Sequence, residues 1–219
     1  MLRTIEVAEL GQLPYQQAWD LQKSLAERRK QNLIPDQLLL LEHPHVLTLG
    51  RNGRQENILA PRERLAQLGI DYFEINRGGD ITYHGPGQIV GYPIVDLREW
   101  KRDVVAYVRG IEEVVIRALA QFGIEGARDA CATGVWTPQG KICAIGVHIS
   151  RWVTTHGFAL NWTTDLNYYQ HIVPCGLTRP VTSMRKLGVD VPREQVHQAL
   201  VREFAHVFDY EPALESASA

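Results

Sequence analysis

The chain reads as an α+β fold, a mixed and largely antiparallel sheet with helices packed on it. Three observations carry this reading: four segments with helical spacing of apolar residues, at least six short β-type runs, and two consecutive runs between 142 and 160 with no helix between them. Uninterrupted strand neighbours favour antiparallel pairing over a doubly wound parallel sheet.

The first helix is expected over residues 14–30, where Tyr15, Ala18, Trp19, Leu25 and Ala26 share one side behind Pro14, a residue suited to a first turn. A short helix is expected over 61–68. A stronger one covers 103–122, with Val104, Val105, Val108, Ile111, Val115, Ala118, Leu119 and Phe122 at helical spacing and Gly123 as its stop. A last one spans 192–208, carrying Val196, Leu200, Phe204 and Val207 on one face. The strand-like runs are 37–42, 46–49, 72–75, 89–95, 142–149 and 153–160.

A chain of 219 residues is expected to fold as one domain with its own core, residues 212–219 forming a loose tail. The composition, 45% hydrophobic and 22% charged, excludes disordered and collagen-like classes. A net charge of −2 argues against a nucleic-acid binder. Three cysteines without CxxC spacing indicate neither a disulfide framework nor a zinc site, and a reducing compartment fits best. No segment is apolar over the length of a membrane span, and Glu6 and Glu9 interrupt any leader-like stretch. The expectation is a cytoplasmic protein that contacts no membrane.

Four segments hold the candidate chemistry. The densest is Arg77-Gly78-Gly79-Asp80-Ile81-Thr82-Tyr83-His84-Gly85-Pro86-Gly87-Gln88, with four glycines. Glycine lets backbone N–H groups approach a ligand oxygen, so the run suits a binding loop, although a plain hairpin turn is the alternative. It matches neither GxxxxGK[ST] nor GxGxxG. The second segment heads an apolar strand with Lys141, followed by Ala144, Ile145 and Gly146; a solvated strand end is the ordinary reading of such a lysine. The third is His156-Gly157-Phe158-Ala159, in which His156 reads as a structural or a site histidine. The fourth places Cys175 between Pro174 and Gly176, a nucleophile or an unremarkable turn cysteine, whereas Cys143 reads as a core residue. His43 and His45 lack a third ligand at zinc spacing, and no metal is expected.

Taken together, Arg77 to Gln88 followed by Gly91-Tyr92-Pro93 resembles the signature of the lipoyl(octanoyl) transferases. Leu41-Glu42-His43-Pro44 through Thr48-Leu49-Gly50-Arg51, Gly140-Lys141 through Gly146, His156-Gly157 with Leu160-Asn161, and Pro174-Cys175-Gly176 are similar to family blocks in the same order. The likeness covers about residues 37–188.

That resemblance implies the fold of the biotin and lipoate protein ligase catalytic domains. It implies that Cys175 accepts an octanoyl group from octanoyl-acyl carrier protein as a thioester, and that Lys141 lowers its pKa. The acyl group then passes to a lysine of a lipoyl domain, on 2-oxoacid dehydrogenase E2 subunits or on the glycine cleavage H protein, the first step of endogenous protein lipoylation. Arg77, Gly78, Gly79, Asp80, Ile81, Thr82, Tyr83, His84 and Gly85 would bind the acyl group with Ala144, Ile145, Gly146, His156, Gly157, Phe158 and Ala159. A thioester is already activated, so neither cofactor nor metal is expected. After acylation Lys141 is a candidate general base for the incoming amine. Arg51, Arg54, Arg151, Arg179, Arg185 and Lys186 are candidates for a basic docking face. The rival readings are an ATP-dependent lipoate or biotin ligase, and a catalytically silent binding protein.

Overall fold

The computed structural model describes residues 3–173 and 179–211. A seven-stranded sheet runs in the order β1 (Ile5–Gln12), β2 (Asp36–Glu42), β6 (Gln88–Ile94), β10 (Val153–Asn161), β9 (Gly140–Ser150), β8 (Val135–Thr137) and β7 (Ala127–Arg128). A smaller sheet has the order β4 (Asp71–Glu74), β3 (Val46–Leu49), β5 (Ile81–His84). Among the described strands, β1 with β2 and β3 with β4 pair in parallel and the other ladders are antiparallel. The helices are α1 (Tyr15–Lys30), α2 (Arg62–Gln67), α3 (Val104–Ala120) and α4 (Arg193–Val207).

Strict alternation along the central strands assigns the two faces of the large sheet. Leu38, Leu40, Ile89, Phe158 and Leu160 point toward α3 and α4, where Tyr107, Ile111, Val115, Leu200 and Phe204 complete the main core. Leu39, Leu41, Val90, Tyr92 and Ala159 point the other way and meet Ala18 of α1. Asp103 caps α3 by accepting from the Ala106 N–H at 3.0 Å. The small sheet lies on the α1 side, with Leu47, Leu49, Ile81 and Tyr83 turned into a core of their own against Leu65, Tyr169 and Ile172.

Sequence reasoning placed six strands and four helices; β1, β5, β7 and β8 are additions. The segment Arg77 to Gln88 is not wholly loop: Ile81–His84 is a buried strand paired with β3. Residues 151 and 152 join β9 to β10 in a two-residue turn at φ of 51° and 67°, the left-handed pair that matches strand twist.

Candidate active site

Two cross-strand pairs, Ala144 opposite Ala159 and Gly146 opposite Gly157, form a floor of minimal side chains on the α1 side of β9 and β10. Above it sit Arg77 to Asp80 and strand β5, and the space between is a narrow cleft of about 40 Å³. The smallness is enforced. A Cβ on Gly157 would lie 2.2 Å from the Gly91 carbonyl oxygen, and one on Gly146 would lie 2.9 Å from that of Gly78.

The residues expected to bind substrate divide by alternation. Arg77, Gly79, Asp80, Thr82 and His84 line this cleft with Ala144, Gly146, His156, Gly157 and Ala159, while Ile145 and Phe158 border it although the strand period turns their side chains to the main core. Ile81 and Tyr83 do not: the strand period turns them into the second core. Gly78 instead donates its N–H to the Val147 carbonyl at 2.9 Å, pinning the loop to β9. Gly85 makes room for Tyr83, whose hydroxyl would lie 1.9 Å from any Cβ there. Tyr15 and Tyr92 also line the cleft, and sequence reasoning missed both as site residues. Tyr15 belongs to the apolar side of a helix and Tyr92 to a strand buried throughout, patterns that signal core and nothing more.

Asp80 is an anchor. Its Oδ1 accepts from the Arg54 and Ile81 N–H groups at 3.1 and 2.7 Å, and its Oδ2 accepts from Asn57. Arg77 is buried, donating from Nη2 to the Thr48 carbonyl at 2.6 Å and its hydroxyl at 3.0 Å. His84 donates from Nδ1 to Gln88 Oε1 at 2.7 Å, because the Gln88 amide nitrogen already donates to Asn161 Oδ1 at 2.9 Å. The chain of bonds continues from Asn161 Nδ2 to the Thr182 carbonyl at 3.0 Å.

Burial holds the cleft residues His84 and His156 neutral, and His43 packed against His84 as well. It pushes His84 well below the ordinary range, His43 to about 4 and His156 to about 3, the last with help from the Arg77 charge. His43 donates to the Leu13 carbonyl at 2.7 Å and lies 2.8 Å from the Tyr92 hydroxyl, which donates to it. The unfolded chain protonates each of these imidazoles near pH 6.5 while the folded protein resists, so their contribution is complete above 6.5 and is lost as pH falls. His43 and His156 together should cost about 2 to 3 kcal/mol per pH unit between pH 6 and 4. Urea denaturation across that range measures this slope together with the contribution of His84, and His156→Gln should flatten the total by about a third.

Lys141 lies on β9 just before the floor, three residues from Ala144, which is about 10 Å of strand. It is not a solvated strand end: its exposure is 7%. The ammonium rests 5.1 Å from the Trp136 ring centroid. Its backbone is held from the far side, the Lys141 N–H donating to the Pro180 carbonyl and its own carbonyl accepting from the Thr182 N–H, both at 2.9 Å. Val181 therefore bridges to Lys141 in parallel register. Cys175 lies outside the described residues. Cys131 is exposed and Cys143 is buried, its thiol pushed up to about 12 by desolvation and so unsuited to nucleophilic work. Among the described residues, no cluster of three or more His, Cys, Asp or Glu side chains is arranged for a metal ion, and no helix is long and apolar enough to cross a membrane.

Comparison with known proteins gives this geometry a lineage. Residues 14–205 match the lipoyl protein ligase A/B catalytic domain. An octanoyltransferase of Solibacter usitatus is 57% identical over 210 residues, 96% of each chain. The chain belongs to the octanoyltransferase family. As a member of that family it is an acyltransferase. The octanoyltransferase of Koribacter versatilis is 54% identical, covering 93% of this chain and 84% of that one. The octanoyltransferase chain shares its fold with a bipartite lipoate protein ligase from Thermoplasma acidophilum, studied with its E2 lipoyl domain, at a TM-score of 0.76 and 18% identity over 97% of this chain and 88% of that one. Lipoate-protein ligase A bound with ATP gives 0.74 at 18% identity, covering 98% and 90%. Biotin protein ligase from Aquifex aeolicus, in complex with biotin and ATP, gives 0.58 at 12%, covering 93% and 70%.

Proposed function

We propose that this octanoyltransferase moves an octanoyl group from octanoyl-acyl carrier protein to a lysine of lipoyl domains through a thioester on Cys175. The observation that carries this reading is the buried ammonium of Lys141, whose backbone is bonded on both sides to residues 180–182, a few positions after Cys175. A thiol of ordinary pKa, about 8.5, is only about 3% thiolate at pH 7, and a neighbouring cation raises that fraction.

In the first half-reaction the Cys175 thiolate attacks the donor's thioester carbonyl. The carrier leaves as a thiolate, which takes up a proton. In the second, the acceptor amine attacks the Cys175 thioester, the C–S bond breaks, and the proton lost by nitrogen is returned to the thiol or to Lys141. Backbone N–H groups lining the glycine-rich segments are suited to the developing oxyanion. The small-residue floor is suited to an unbranched tail: five strand positions separate Lys141 from Gly146, about 17 Å, enough for a lysine side chain and an extended eight-carbon chain end to end. Each buried CH₂ contributes about 0.8 kcal/mol, which gives the cleft its means of selecting chain length.

Lipoyl domains are supported as acceptors by the Thermoplasma ligase, which was studied with one. A reducing compartment keeps a free catalytic thiol available, which supports a cytoplasmic setting for the reaction. Four of the six cations considered for docking are paired with acids, Arg54 with Glu56, Arg151 with Glu27, Arg179 with Asp129 and Arg185 with Asp190, so Arg51 and Lys186 are the better docking candidates.

Intact mass after mixing the protein with octanoyl-acyl carrier protein, without ATP, tests this. One acyl adduct is expected on the native protein, absent from Cys175→Ser, and lost as an added lipoyl domain gains it. Modification of the lipoyl domain only from free acid plus ATP would replace this reading with ligase chemistry.

A further inference from the structure

Tyr15 is 2% exposed and lines the cleft, yet among the described residues its hydroxyl has no hydrogen-bond partner. Crowding fixes the ring: the ring centroids of His43, Phe73, Trp19 and His84 stand 5.1, 5.2, 6.2 and 6.2 Å from it. Other polar groups of the cleft are already engaged. His43 donates to the Leu13 carbonyl and accepts from the Tyr92 hydroxyl, and His156 Nε2 donates to Asn76 Oδ1 at 2.8 Å. Burial raises the pKa of the Tyr15 phenol against the opposing Arg77 charge, so the hydroxyl keeps a proton to donate.

His84 supplies the complement. Its ring lies at 15° to that of Tyr15, nearly parallel, and is buried in the same cleft. Because Nδ1 carries the proton donated to Gln88, Nε2 is an acceptor, and among the described residues no group is bonded to it. The cleft therefore holds one unmet donor and one unmet acceptor on neighbouring rings. A hydrocarbon tail offers a partner to neither, and covering them with it costs the desolvation of both. A hydroxyl on the chain serves both at once, accepting from Tyr15 and donating to His84.

We infer that the cleft also takes hydroxyoctanoyl groups, Tyr15 and His84 together reading a hydroxyl carried on the acyl chain. The inference rests on the reading of this cleft as the acyl site. Recognition depends on position along the chain. A hydroxyl placed elsewhere over the Ala144 and Ala159 floor meets no such pair and is buried without a partner.

The test is titration calorimetry of octanoate and of its monohydroxy derivatives, substituted at C3 to C7 in turn, with the native full chain and with Tyr15→Phe. One position is expected to bind about as tightly as octanoate, and the others about tenfold more weakly. Tyr15→Phe should weaken the favoured hydroxy acid about tenfold and leave octanoate as tight or tighter. The same acyl groups offered on acyl carrier protein should be transferred to a lipoyl domain in the same order of preference. Equal weakening of every hydroxy acid in the native protein would overturn the inference, an outcome that requires no variant to fold. An equal loss for octanoate and the favoured hydroxy acid in Tyr15→Phe overturns it too, by placing the phenol at the acyl head that both share. A native protein that moves octanoyl but binds octanoate no differently after Gly146→Val would defeat the reading of the cleft as acyl site instead.

Discussion

A Lys141→Met protein is expected to acylate about 30-fold more slowly at pH 7, the ratio between a fully ionised thiol and one of ordinary pKa. Methionine matches the stem of the buried lysine, so the fold should hold and the deficit should shrink as pH rises past 8.5. Lys141→Arg separates the two roles. A guanidinium keeps the positive charge but does not release its proton at working pH, so the adduct should form and then accumulate. Rapid-mix intact mass with and without a lipoyl domain measures both half-reactions. Normal discharge from Lys141→Arg would remove the general-base role and leave the electrostatic one.

The largest stability effect is expected at Asp36, far from the cleft. Its carboxylate is 2% exposed and accepts from Arg29 Nε at 2.7 Å, Arg3 Nη2 at 2.6 Å, the Tyr210 hydroxyl at 2.6 Å and the Asp96 N–H at 2.8 Å. Asp36→Ala strands two buried donors and weakens the neutralisation of Arg29, itself 4% exposed. Breaking a buried pair from one side costs about 3 to 5 kcal/mol. In a chain of this size that corresponds to a fall of about 10 °C in Tm, read by calorimetry. A shift below about 2 °C would show that the remaining acids, Asp96 and Glu99, suffice for Arg29.

The longer helices were legible from a one-sided apolar period, and the central strands from short continuous apolar runs that are buried on both faces. Strand β1 was not, since its exposed Glu6 and Glu9 break the pattern at a sheet edge where only parallel pairing with β2 stabilises it. Strand β5 was hidden by the glycines on both sides, which read as loop. Applying period two to Ile81–His84 would have separated Thr82 and His84 from Ile81 and Tyr83. Clustering of the motif residues around one cleft follows from the β9–β10 register, which local spacing does not reveal. Tyr15 and Tyr92 reach the cleft only through the stacking of α1 on the sheet, a long-range fact. The split into two sheets has the same origin.

The glycine pair in the floor has a consequence for how a cleft of this kind can diversify. Because the space a Cβ would need at Gly146 and Gly157 is taken by backbone from the loop and from the neighbouring strand, the floor is closed to variation. Any retuning for a bulkier or shorter cargo must then come from above, through Thr82, Tyr15 or the Arg77 loop. Engineering libraries directed at the ceiling should yield altered cargo preference, while those directed at the floor should yield mostly insoluble protein.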